Sequence, residues 1–228
     1  MFTVGLWLFL GEVLVGEKEI KSLVLSHLIS SGSLTRDGLV FSEMNLAKKV
    51  RRLDLGYVCE GKMIAVEIKS EKDTLARLIG QVDEYCKYFD KVVVAVAPKF
   101  VKKVEELLVD KSVGVWEVSK DSLRVVRKGK IIKGACKGNY LDLMTRRELS
   151  ILAKKVGVVP GELGIYDLKI AVRGGISRLS KSDIKSVLVD GLHRRFMMAS
   201  ERFMKKAFLE GRVSPSDVDL LSPYRVVV

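Results

Sequence analysis

Residues 52–97 read RLDLGYVCEGKMIAVEIKSEKDTLARLIGQVDEYCKYFDKVVVAVA, and this stretch decides the fold. Arg52 to Cys59 and Met63 to Lys69 are two β-rich runs separated by Glu60-Gly61-Lys62, a short turn that favours an antiparallel hairpin. The second run is almost continuously apolar until Glu67, as expected of a central strand buried on both faces. Asp73 to Phe89 then carries Leu75, Leu78, Ile79, Val82, Cys86 and Phe89 on one face at helical spacing. Lys91 to Ala97 is a further buried strand, stopped by Pro98.

Working outward, Glu17 to Ser31 has apolar residues at 20, 23, 24 and 28, the spacing of an amphipathic helix. Lys99 to Leu108 reads as helix, and Val113 to Val118 and Ser122 to Arg127 read as short strands. The periodicity is lost in the glycine-punctuated run 129–138, which sets a boundary. Beyond it the pattern is helical over Leu141 to Val156, Glu162 to Val172, Ser182 to Asp190 and Leu192 to Leu209, with Gly191 as a break. The expectation is an α/β protein: an apolar N-terminal arm (1–16), a mixed β-sheet unit flanked by helices (17–135) and a basic, mainly helical C-terminal unit (136–228).

The 228 residues are 48% hydrophobic and 30% charged, which excludes a disordered chain. A single glutamine and two asparagines stand beside 25 lysines and 15 glutamates, a bias that points to a heat-adapted source. The formal charge is +12, with +5 in residues 1–134 and +7 in the shorter remainder, and such an excess favours polyanionic partners. Three cysteines without C-x-x-C spacing argue against a disulfide framework or a cysteine zinc site and fit a reducing cytoplasm. Neither His27 nor His193 has a partner at metal spacing. Residues 1–16 are apolar, but Glu12 interrupts them well short of the roughly 20 residues that a membrane span needs, so no membrane partner is expected. The sequence carries no P-loop and no G-x-G-x-x-G, so no nucleotide cofactor is expected.

Chemistry concentrates in the hairpin. Glu67 and Lys69, two apart on one strand, share a face, and pairing across the turn brings Asp54 alongside them. Two carboxylates in one cluster repel unless a cation lies between them, and oxygen ligands suit a hard ion such as Mg²⁺ or Mn²⁺. The plain alternative is a cross-strand ion pair between Asp54 and Lys69, with Glu67 facing water.

The run Arg52-Leu-Asp54-Leu, Glu67-Ile-Lys69-Ser and Gln81-Val-Asp-Glu-Tyr85 resembles the PD-(D/E)XK, or restriction-endonuclease-like, nuclease superfamily, with the glutamine and tyrosine motif of its RecB-like branch. The resemblance covers about residues 17–127 and implies a restriction-endonuclease-like core and a metal-dependent DNA nuclease, with endonucleolytic or exonucleolytic action left open. It makes Asp54, Glu67 and the Ile68 carbonyl ligands of Mg²⁺ or Mn²⁺, and Lys69 the group that orients the attacking water or offsets developing charge. Gln81, Tyr85 and Glu17 complete the expected catalytic set, with Glu43 as a further candidate. Leu53 stands where the superfamily's proline is expected. The alternatives are a catalytically silent DNA-binding or assembly protein on the same fold, a junction resolvase and an RNA-directed nuclease.

In Leu192 to Leu209 the residues Leu192, Phe196, Met197, Phe203, Met204 and Ala207 share a face, opposite Arg194, Arg195, Arg202, Lys205 and Lys206. With Arg77, these cations are the expected nucleic-acid contacts. Arg146, Arg147, Lys154 and Lys155, with Arg173 and Arg178, extend the positive character. The C-terminal unit is therefore expected to bind DNA or to form a homodimer.

Overall fold

The computed structural model describes residues 15–46, 51–133 and 136–222. The N-terminal arm expected at 1–16 falls almost wholly outside the described residues. The elements are α1 (Glu17–Ser30), β1 (Leu39–Leu46), β2 (Arg51–Cys59), β3 (Lys62–Lys69), α2 (Leu78–Tyr85), β4 (Lys91–Val96), α3 (Val101–Leu107), β5 (Gly114–Val118), β6 (Leu123–Arg127), α4 (Arg146–Lys155), α5 (Ile165–Gly174) and α6 (Lys181–Glu210). The architecture is thus α/β, with one six-stranded mixed sheet and a helical C-terminal region.

The strands lie in chain order across the sheet. β1, β2 and β3 are antiparallel, β3, β4 and β5 are parallel, and β6 closes the far edge antiparallel to β5. The hairpin turn is tight: Cys59 pairs with Lys62, and Glu60 and Gly61 take φ 50° and 68°. Two consecutive left-handed residues make the primed turn whose twist matches a two-residue hairpin.

Two expectations are corrected, and one strand was not anticipated. β1 is a strand that periodicity does not find, because LVFSEMNL reads polar at Ser42, Glu43 and Asn45. The helix expected from Asp73 begins at Leu78, since Asp73 instead accepts hydrogen bonds from the Ser70 amide and hydroxyl and turns the chain there. The two helices expected on either side of Gly191 are one 30-residue helix, α6. Gly191 does not break it; an added Cβ there would lie 2.6 Å from the Glu148 carboxylate, so the glycine lets α4 approach.

Apolar side chains are buried on both faces of the sheet. On one face Leu53, Met63, Ala65, Val92, Val94 and Val115 pack with α2, α3 and the C-terminal residues Tyr140, Leu149, Leu168, Leu188 and Phe196. On the other, Val66, Ile68, Val93 and Trp116 pack with α1 and with Phe203, Met204 and Ala207 near the end of α6. α6 therefore contributes to both cores while running past β1. Ser200 Oγ accepts from the Val40 amide at 2.9 Å, occupying a donor on an edge that is otherwise open to mispairing. Among the described residues, no helix is long and apolar enough to cross a membrane.

Candidate functional site: a closed polar network and two cationic surfaces

The polar network begins with an irregularity. Ser42 pairs with Leu55 and Met44 with Leu53, and between them Glu43 has φ 57°, a left-handed conformation costly for a residue with a Cβ. Alternation slips by one residue in both strands here: Leu39, Phe41, Met44 and Leu46 share a core, and Leu53 and Leu55 belong to opposite cores. The Asp54 carboxylate accepts the Ile68 N–H at 2.9 Å.

On the α2 side of β3, Glu67 is fully buried, and both of its oxygens are engaged. Lys69 Nζ lies 2.6 Å from Oε1, and the Tyr85 hydroxyl donates to Oε2 at 2.6 Å. Lys69 also donates to Gln81 Oε1 at 3.1 Å. Burial and the neighbouring Glu67 charge raise the Tyr85 pKa, so the hydroxyl keeps its proton and remains a donor. Burial, then the Glu67 charge, push Asp54 up to about 7 against the lowering effect of the Ile68 amide.

From α1, Lys21 reaches Glu17 at 2.6 Å and Glu43 at 2.8 Å, and Arg52 Nε completes the chain on Glu43 at 2.6 Å. Burial disfavours charge on Lys21, but the two carboxylates outweigh it and its pKa rises. Lys21 was missed in the sequence. Its signal was a charged residue one turn after Glu17, beside the apolar stripe of α1.

The structure thus brings Asp54, Glu67, Lys69, Gln81 and Tyr85 together, and Glu17 joins them through Lys21. It does not leave Glu67 open. A divalent ion at that carboxylate would have to displace the Lys69 ammonium or the Tyr85 hydroxyl, and among the described residues no group of three or more histidine, cysteine or acidic side chains is arranged to hold a metal.

The expected nucleic-acid contacts are divided. Arg194 pairs with the buried carboxylate of Glu148, and Arg195 donates to the Gly191 and Leu143 carbonyls at 3.1 and 3.3 Å. Lys206 pairs with Asp217 at 2.5 Å. These three serve the packing of α6, whereas Arg77 and Lys205 are exposed and Arg202 is half-buried. A second cationic surface lies on α4, where Arg146, Arg147, Ser150, Ile151 and Lys154 line a shallow groove. Arg147 and Lys154 are exposed and make no ion pair among the described residues; Arg146 is steadied by its bond to the Gly161 carbonyl at 2.6 Å. The Ser150 hydroxyl beneath the groove is buried and has no hydrogen-bond partner.

Fold and site together define a mixed α/β protein with a buried Glu67–Lys69–Gln81–Tyr85 network beside its sheet and uncompensated cations on its helices. The family model of bacteriophage P4 protein cII matches residues 12–222, and the chain belongs to that family. Protein cII of Enterobacteria phage P4 is 30% identical over 214 residues, covering 92% of this chain and 78% of that protein. A solved structure of a Silicibacter pomeroyi protein of unknown function aligns over 53% of this chain and 75% of its own, at 18% identity and a TM-score of 0.39, a likeness too slight to bear on the fold.

This membership corrects the expectation raised by the PD-(D/E)XK resemblance. Nearly the whole chain, including residues 52–97, falls to the phage P4 cII family and not to those nucleases, so the assignment as a nuclease, endonuclease or hydrolase is withdrawn. The physical reason the motif misleads is visible in the network. An acid, a lysine, a glutamine and a tyrosine at these spacings also close a buried ion pair, because a charge in a sheet interior needs partners on every side.

Proposed function

We propose that the chain is a non-hydrolytic DNA-binding protein whose contact surface is the cationic face of the C-terminal helices. The observation that carries this reading is the α4 groove. Arg146, Arg147 and Lys154 line it without a carboxylate among them. Guanidinium and ammonium groups are donors that phosphate oxygens take, and such contacts set affinity without reading sequence. The charge of +12 supplies the long-range attraction.

Fluorescence anisotropy with a labelled duplex at increasing salt tests the reading. The wild-type chain is expected to bind with affinity falling linearly in log salt. Arg147→Ala with Lys154→Ala is expected to reduce the magnitude of that slope by about 2, one for each phosphate contact removed. The labelled strand is expected to stay intact with Mg²⁺ present. An unchanged slope in the double variant, or a shortened strand abolished by Glu67→Gln, would overturn the reading.

A further inference from the structure

We infer that a second, separate cavity is a phosphate-recognition site. It is about 460 Å³ and lies between the α3–β5 connection and the chain leaving β6, lined by residues 109–113 and 127–130. Arg127 ends β6, and its Nε donates to the Val113 carbonyl at 2.8 Å, which fixes the plane of the guanidinium. Its Nη2 is buried and has no hydrogen-bond partner. A guanidinium nitrogen left without an acceptor in the wall of a cavity is a costly arrangement that an anion would relieve.

The neighbouring residues add to that field. Lys128 and Lys130 flank Gly129 in the same wall. Burial, and then the Lys128 charge, lower the pKa of Lys91 at the start of β4, outside the cavity lining. Lys111 is already paired with Asp83, and Asp110 is the only carboxylate in the lining, set against Arg127, Lys128 and Lys130.

The backbone is built for this placement. Gly129 has φ 68°, and a Cβ on it would lie 2.4 Å from the Gly114 nitrogen, so the turn needs glycine. Lys130 N–H donates to the Ser112 carbonyl at 2.8 Å, which pins the lysine pair against the start of β5. A phosphate group offers oxygens in the geometry that a planar guanidinium recognises, and two flexible ammonium groups close over the rest. Val109 and Val113 give the cavity an apolar wall against which the group that carries the phosphate can rest. The phosphate can come from a small phosphorylated molecule or from a nucleic-acid backbone.

Titration calorimetry on the full chain, with inorganic phosphate, AMP and a short duplex as separate probes, tests the site. Lys128→Ala with Lys130→Ala keeps the Arg127 bond to Val113 and so keeps the fold, which a thermal melt checks. This double variant is expected to weaken phosphate or AMP about tenfold, the loss expected for charged hydrogen bonds. If only the duplex binds, and more weakly in Lys128→Ala with Lys130→Ala, the backbone is the source of the phosphate. If that variant binds all three probes as the wild type does, or if no probe binds, the proposal is overturned.

Discussion

At Asp54, the carboxyl accepts the Ile68 amide but is buried near the Glu67 charge, and its pKa is pushed up to about 7 from the ordinary 3.8. The folded state therefore holds a proton that the unfolded chain releases. Stability contributed by the protonated form is present below about pH 4 and is lost as pH rises toward 7, then stays level. Asparagine keeps an acceptor for the Ile68 amide and carries no charge. Asp54→Asn is expected to flatten the pH dependence in that window and to be more stable than the wild type above neutrality by about 2 kcal/mol. Urea denaturation of both proteins across the range measures this, and parallel curves would show that Asp54 ionises freely in the fold. The same residue shows what a sequence can tell. The clustering of Asp54, Glu67 and Lys69 was legible, because strand period and hairpin register point to it, whereas Gln81 and Tyr85 on α2 joined the expected set only through the PD-(D/E)XK resemblance. Its closure was not, since nothing in the spacing says that Tyr85 and Lys69 take both oxygens of Glu67.

At the scale of elements, the hairpin and the β3–α2–β4 crossover follow from apolar runs that no other element type accommodates. β1 does not, because the left-handed Glu43 in its middle breaks the alternation on which strand recognition depends. Gly191 was read as punctuation on propensity alone, and tertiary packing overrides it. Alanine there gains about 1 kcal/mol of helix propensity. Against this, the new Cβ would lie 2.6 Å from Glu148, which is fully buried and fixed by the Thr145 amide at 2.7 Å and by Arg194, so it has nowhere to move. The steric cost wins. Gly191→Ala is expected to lose about 1–3 kcal/mol net, as overpacked cores do, measured by chemical denaturation. A stabilised variant would mean that α4 and α6 are not in close contact. The alternative, removing Arg194, acts from the other side by leaving a buried carboxylate without its cation.

Over the whole molecule, the glycine-rich run after β6 marks a change of pattern but not an interruption of the core. One hydrophobic cluster includes Val92, Val94 and Val115 of the sheet together with Tyr140, Leu168 and Phe196, and α6 then passes the β1 edge to supply Phe203 and Met204 to the opposite face. Polar links reinforce this: Lys185 pairs with Asp90 at 2.6 Å, the Ser42 hydroxyl donates to the Leu221 carbonyl at 3.2 Å, and the Val213 amide donates to Ser26 at 3.1 Å. Neither the sheet nor the helical region can bury its apolar surface alone, so separating them would expose both cores and the β1 edge. Scanning calorimetry is expected to show one transition with equal calorimetric and van't Hoff enthalpies. Two resolved transitions, with the C-terminal helices melting while the sheet stays folded, would mean that the contacts across residues 129–138 contribute little to stability. In that case the cationic face of the C-terminal helices would sit on an independently folding unit, and the link between its cations and the sheet would be one of sequence only.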